Sequence, residues 1–281
     1  MISRRVLSVF AALLLVLGAT TASSLPLVTT PGADNPFIIR AQTVRIEVFN
    51  HLARTTVVQE IVNTGSTEIP CSIDMKLPDG ARASGFWAMV DGQALRGVIR
   101  TNQEARRIVE EAREQKKAAA LAVEQPDGSL HLELSQVKAG QQFYFSISYI
   151  EQARFDSGWF VYDFNIKGHS PEVGTPVSVH MLASFRTTAE ILAVESPTHT
   201  LIGGVRGKSA VMEVEDAGVR PGVFTMKWQL DLKPGVPHVM LKGSGDEDPY
   251  FSLLMMPPDT PPSPKGRSFV LILDKSGSME G

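Results

Sequence analysis

The feature that most constrains this chain is a series of short runs in which apolar and polar residues alternate, each bounded by a turn signal. In "TVRIEVFN", Val44, Ile46 and Val48 fall on one face, and the intervening residues fall on the other. A period of two is that of a strand with one buried face. Many such strands at short spacing are typical of sandwich-like all-β proteins, so we predict a mainly β fold.

Turn residues set the boundaries of these strands. "NTGSTEIP" and Pro78-Asp79-Gly80 predict loops, and Asp91-Gly92 predicts a hairpin between "GFWAMV" and "ALRGVIR". Residues 25–37 are interpreted as a linker because Pro, Gly and Asn are frequent there. Further strands are predicted in "SLHLELSQV", "QQFYFSISYI", "PVSVHMLASF", "AVMEVE" and "GVFTMKWQLDL".

One amphipathic helix is predicted to interrupt the strands, over residues 101–119. It begins with a capping box, because Thr101 is followed three residues later by Glu104. Its apolar side chains recur at helical spacing and form one narrow stripe, which we expect to face the β-rich core. The residues of this stripe are Ala105, Ile108, Val109 and Ala112.

The N-terminal residues have the pattern of a signal peptide over residues 1–24. Arg4 and Arg5 precede an apolar stretch, "VLSVFAALLLVLGA", that is short for a membrane span. The small residues of "TTASS" follow, so cleavage after Ala22 or Ser24 is expected, and the mature protein would be exported to the cell envelope, the cell surface or the medium. An uncleaved anchor is the alternative. The choice between general secretory and twin-arginine export stays open.

Composition and charge exclude some functions. Hydrophobic residues make up 43% and charged residues 20% of the chain, as in ordinary globular proteins. The net charge is −3 and no basic stripe with interleaved aromatic residues is present, which argues against nucleic acid as a partner. Cys71 is the one cysteine, so the chain cannot form an intramolecular disulfide. We expect its side chain to be a small buried apolar group.

The region around the predicted helix resembles a VIT domain, the module that opens the heavy chains of inter-alpha-trypsin inhibitor and many bacterial surface proteins. The resemblance covers about residues 38–155 and includes "VEQPDGSLHLELSQVKAGQQFYFSISY". It depends on a combination of short motifs rather than on any single one. These motifs are Leu77–Gly80, Gly85-Phe86, Asp91-Gly92, Glu104-Ala105-Arg106 and Ala119-Ala120-Leu121.

In that family a von Willebrand factor A (VWA) domain, of α/β fold, follows the VIT domain. The resemblance therefore implies a second β-rich segment at 156–258, a Pro-rich hinge at 259–267 and the first strand of a VWA domain within 268–281. A VWA domain needs more strands, helices and ligand loops than these last residues supply. We accordingly expect the 281 residues to belong to a longer protein.

The sharpest chemical motif is "FVLILDKSGSM". Asp274, Ser276 and Ser278 match the Asp-x-Ser-Gly-Ser segment of the metal-ion-dependent adhesion site of VWA domains. The resemblance implies that they bind Mg²⁺ or another divalent cation, and that an acidic residue of a partner protein completes the site. One carboxylate and two neutral hydroxyls are oxygen ligands of the kind that Mg²⁺ prefers. The alternative is a Ser/Gly turn in which Asp274 caps a helix.

Other motifs favour structural roles. "GGVRGKS" at 203–209 lacks the spacing of a phosphate-binding loop and is expected to form a hairpin loop. His180 is predicted to be a structural residue of a strand. A hydrolase that uses a serine of the 156–258 segment is an alternative function, with Ser196 near His199 as the candidate, although no Gly-x-Ser-x-Gly motif surrounds it. We favour a non-enzymatic adhesion-type protein. A purely structural surface scaffold is the third interpretation.

Overall fold

The computed structural model of the protein is mainly β, as the sequence predicts. Its described residues contain strands β1 to β19 and no helix, so they include no helix that could cross a membrane. The predicted helix at 101–119 lies outside them. The structure describes residues 23–24, 27–29, 36–90, 92–97, 120–124, 129–166, 178–215, 217, 222–242 and 250–257.

The largest sheet has eight strands, and its centre is formed by long antiparallel neighbours with alternating apolar residues. One pairing differs, because β13 (Ser178–Arg186) runs parallel to β3 (Phe37–Phe49), with Ser178 beside Ala41 and Arg186 beside Phe49. Residues beyond 156 thus share a sheet with the strands that resemble a VIT domain. In spatial order the strands are β15 (Leu201–Arg206), β16 (Ser209–Val214), β13 (Ser178–Arg186), β3 (Phe37–Phe49), β4 (Leu52–Asn63), β10 (Gln142–Gln152), β6 (Arg82–Val90) and β7 (Gln93–Gly97).

Two smaller sheets belong to the same compact unit, which spans residues 1–231. The five-stranded sheet contains β1 (Ser23–Ser24), β12 (Trp159–Asn165), β17 (Val223–Leu230) and β14 (Ile191–Glu195), with β11 (Arg154–Asp156) paired to β12. The four-stranded sheet contains β2 (Leu27–Thr29), β5 (Ile69–Lys76), β9 (Ser129–Val137) and β8 (Ala120–Glu124).

A second unit, residues 232–281, contains one described hairpin. Its strands are β18 (His238–Lys242) and β19 (Tyr250–Leu254), which pair antiparallel. Met255 and Met256 follow the end of β19.

The eight-stranded and five-stranded sheets pack face to face around an aromatic core. Val44, Ile46 and Val48 are buried on the inner face of β3, which confirms the alternation predicted from "TVRIEVFN". Phe185 of the eight-stranded sheet meets Trp228 of the five-stranded sheet edge to face, with ring centroids 5.7 Å apart. Alternating apolar side chains on both sheets therefore produce one sandwich core.

The predicted turns are confirmed where they can be compared with the structure. The Ala81 N–H donates to the Pro78 carbonyl at 3.0 Å, and β6 and β7 form a hairpin in which Val90 pairs with Gln93. The hairpin predicted in "GGVRGKS" joins β15 to β16. Cys71 is a buried free thiol, as expected, and burial raises its pKa.

One segment differs from its sequence interpretation. Leu27–Thr29 lies within the predicted linker but forms β2, which pairs antiparallel with β5. Backbone groups alone make this pairing, so composition rich in Pro and Gly on either side does not prevent it. Pairing with β5, which is distant in sequence, therefore determines that Leu27–Thr29 forms a strand.

Gly203 provides a test of the β15–β16 pairing. Its φ of 151° is rarely adopted by other residues, and a Cβ added there would overlap the carbonyl oxygen of Val211 on the paired strand. We expect Gly203→Ala to lower the free energy of unfolding by about 2 kcal/mol, because backbone atoms cannot move aside as a side chain can. Urea denaturation of the purified protein measures this change.

Gly204→Ala is the matched control. A Cβ at Gly204 meets no atom within 4 Å, and its φ lies outside the glycine-favouring region. The control should therefore leave the stability almost unchanged. Equal losses of stability at both positions would contradict the pairing described for β15.

Candidate functional site

The residues predicted to bind metal, Asp274, Ser276 and Ser278, lie outside the described residues. The structure therefore does not place them relative to one another. Within the described part of the chain, no group of three or more His, Cys, Asp or Glu residues is arranged to hold a metal ion. The proposed ligands thus stay a prediction from the sequence.

Two described histidines pair with single carboxylates across neighbouring strands. Nδ1 of His131 on β9 is 2.6 Å from the Asp74 carboxylate on β5. Nδ1 of His180 on β13 is 3.4 Å from the Glu213 carboxylate on β16. His180 does lie in a strand, as predicted, but its side chain is about half exposed, so it belongs to the surface rather than to the core.

Ser196 and His199 belong to the turn between β14 and β15. The Ser196 hydroxyl accepts the backbone N–H of His199 at 3.0 Å. The Nδ1 atom of His199 lies 3.0 Å from the Thr198 hydroxyl, and its ring packs edge-on against Phe224. Ser196 thus holds a tight turn, which is the common local role of a serine side chain in such a loop.

A buried polar cluster links the two layers of the sandwich. The hydroxyls of Thr55 on β4 and Tyr162 on β12 are hydrogen-bonded at 2.8 Å. Burial raises the pKa of Tyr162 far above its usual value, with further contributions from Tyr149 and Glu151. A hydrogen bond of this kind satisfies polar groups that burial would otherwise leave unpaired, and it fixes the register between the layers.

Glu151 stands at the border of this cluster and is the most perturbed carboxyl in the described residues. Burial, followed by the charge of Asp163, raises its pKa to about 8. Its Oε1 atom is buried and has no hydrogen-bond partner among the described residues. Burial therefore favours the protonated form of the Glu151 carboxyl.

The outward face of the five-stranded sheet presents aromatic and charged groups together. The Nζ atom of Lys227 lies 4.4 Å from the centroid of the Trp159 ring and 3.0 Å from the Glu195 carboxylate. Nearby, the Thr225 hydroxyl donates to Asp163 at 2.6 Å. The half-buried Trp159 ring thus lies on the outer face of the sheet, where Lys227 covers part of it.

Neither the Thr55–Tyr162 cluster nor the Trp159–Lys227 contact was predicted from the sequence. Thr55 and Tyr162 are separated by 107 positions, and no motif links them. A weak signal was available, because polar residues stand at inward positions of β4 and β12, where the alternation predicts apolar ones. Such exceptions to the pattern identify buried polar groups but not their partners.

The fold defines a mainly β protein whose central sheet contains the long antiparallel strands β3, β4 and β10. Residues 39–149 match the family model of the Vault protein inter-alpha-trypsin domain, abbreviated VIT. The chain therefore contains a VIT domain in this region, which confirms that part of the resemblance. A VIT domain indicates a role in protein interaction. No curated protein matches the chain.

Solved structures with distant similarity include three of different kinds. A Legionella pneumophila protein with a suggested nutrient-binding role is 11% identical with a TM-score of 0.43, and the match covers 73% of this chain and 70% of that one. An M1 zinc metallopeptidase from Deinococcus radiodurans is 9% identical with a TM-score of 0.38, and the match covers 74% of this chain and 44% of that one. Legionella pneumophila aminopeptidase A is 9% identical with a TM-score of 0.40, and the match covers 82% of this chain and 25% of that one. This chain thus spans less than half of both peptidase chains, and similarity at this level assigns it no activity.

Proposed function

We propose that this protein is exported and binds other proteins through a divalent cation held by Asp274, Ser276 and Ser278. The observation that carries the proposal is the order of elements along the chain. An apolar run followed by "DKSGS" comes after a VIT domain at 39–149, which is the order of VIT and VWA domains in inter-alpha-trypsin inhibitor heavy chains and related bacterial proteins. The apolar signal-like stretch at 6–19 supports export.

The chemistry of the donor set fits a hard cation. Asp274 supplies a carboxylate, and Ser276 and Ser278 supply neutral hydroxyl oxygens, so the segment contributes only one negative charge. Mg²⁺ in such a set keeps much of its positive charge and can attract a further oxygen ligand. A carboxylate of a partner protein is the proposed further ligand. Gly277 between the serines allows the backbone to turn closely around the ion.

The test is metal binding by the full-length protein. We expect Asp274→Ala to lower the affinity for Mg²⁺ by about tenfold or more, because it removes the only carboxylate of the segment. Isothermal titration calorimetry with Mg²⁺ measures the affinity. Thermal unfolding of the same samples should be unchanged in the VIT region, since no described residue of that region belongs to the proposed ligand set.

Lys275→Ala is the matched control, because it changes the neighbouring spacer residue and removes no oxygen ligand. It should bind Mg²⁺ as the wild type does. Equal affinities in wild type and Asp274→Ala would mean that the segment is a helix-capping turn. Hydrolytic turnover lost in Ser196→Ala would instead favour the enzyme interpretation.

A further inference from the structure

Exposed apolar side chains are concentrated at one edge of the sandwich. Among the described residues of the first unit, half of the exposed large apolar side chains lie between positions 191 and 211. Leu192 and Ile202 are more than half exposed, although both are large aliphatic residues. The residues of this group are Leu192 on β14, Val211 on β16, and Ile202 and Val205 on β15, and we name the two on β15 the β15 edge.

The β15 edge is also where the eight-stranded sheet ends. β15 pairs with β16 on one side, and no described strand pairs with its other side. The Ile191 N–H donates to the Gly207 carbonyl at 3.0 Å, so the start of β14 lies against the end of β15. Edge strands usually carry charged or proline residues that prevent further pairing. In "LIGGVR" the only charge is Arg206, at the end of the strand, and proline is absent.

We propose that β15 pairs antiparallel with β15 of a second copy of this chain, so that two eight-stranded sheets join edge to edge. The two-fold axis would pass perpendicular to the sheet through Gly203. Such an axis keeps the inner and outer faces of both sheets continuous, and it uses the same strand of both copies equivalently, as a closed symmetric dimer requires.

The sequence of β15 is complementary to itself in this register. Leu201 lies opposite Val205 of the second copy, and both belong to the inner face, as their partners Val214 and Ala210 on β16 show. Ile202 lies opposite Gly204 of the second copy, and Gly204 has no side chain that could clash with it. Cross-strand pairs of apolar residues stabilise sheets, whereas like charges opposite each other destabilise them. Arg206 faces Thr200, so no like charges meet.

The alternative centre, at Gly204, fits less well. It would place Ile202 opposite Arg206 and Val205 opposite Gly203, so no apolar pair would form across the edge. The register centred on Gly203 is therefore the one that the side chains support.

The test is the association state of the full chain as a function of concentration. We expect sedimentation velocity to show a concentration-dependent dimer of the wild type. Val205→Lys should raise the dissociation constant about tenfold or more, because the two-fold symmetry places one new ammonium group from each copy in the interface. Val223→Lys is the matched control, since Val223 is 42% exposed against 41% for Val205 and lies on β17 in the other sheet.

A second measurement does not depend on any variant. Hydrogen exchange of the backbone amides of 201–206 in the wild type should slow as the protein concentration rises, because pairing protects these groups. A wild type that stays monomeric through the micromolar range, with exchange independent of concentration, would overturn the proposal. So would a dimer that Val205→Lys and Val223→Lys weaken equally.

Discussion

Replacing Trp228 with alanine is expected to lower the free energy of unfolding by about 3 to 5 kcal/mol. Trp228 is fully buried on β17, and its ring contacts Phe160 and Phe185, which belong to different layers. Its indole N–H also donates to the Asn50 carbonyl at 2.8 Å. The substitution therefore opens a cavity between the sheets and leaves a buried carbonyl without its donor. Denaturant unfolding followed by fluorescence or circular dichroism measures the loss.

Two further variants separate these contributions. Trp228→Phe retains an aromatic ring in the core but lacks the N–H donor, so we expect an intermediate loss of stability. Trp159→Ala removes the same type of side chain from the half-exposed face of β12 and should cost much less than Trp228→Ala. Equal losses at Trp159 and Trp228 would show that the sandwich core is not where the structure places it.

Glu151→Gln is expected to change how stability depends on pH. The pKa of Glu151 is raised from 4.5 to about 8, so the folded state binds a proton that the unfolded state releases over this range. The stability from this group is present below pH 4.5 and is lost as the pH rises through about 8. Because each pKa unit corresponds to about 1.4 kcal/mol, the loss is a few kcal/mol by pH 9.

Glutamine resembles the protonated acid in shape and carries no charge. We therefore expect Glu151→Gln to match the wild type in stability near pH 4.5 and to exceed it increasingly toward pH 9. Urea unfolding at a series of pH values measures the difference. Glu68→Gln, in the exposed turn before β5, is the matched control and should not reproduce this trend. A constant difference between wild type and Glu151→Gln at every pH would contradict a buried protonated carboxyl.

The alternation of apolar residues was enough to predict β3, β6, β7, β9, β10, β13, β16 and β17, and turn residues predicted the hairpin between β6 and β7. It did not predict β12, β14 or β15. Val44, Ile46 and Val48 are buried together because a strand has a period of two, which depends only on local backbone geometry. The turns at Pro78–Gly80 and at Asp91-Gly92 follow for the same reason, since their residues favour the required backbone angles. The short motifs between Leu77 and Leu121 likewise sufficed to identify the VIT domain.

Only the tertiary structure determined which strands pair and which polar groups meet. The parallel pairing of β13 with β3 joins positions more than 130 residues apart, and the local sequence pattern of either strand does not specify its partner. The Thr55–Tyr162 hydrogen bond and the raised pKa of Glu151 arise in the same way, because burial and distant neighbours create them. Strand formation is thus a local property of this sequence, whereas the cluster between the sheets and the unpaired edge of β15 are consequences of packing.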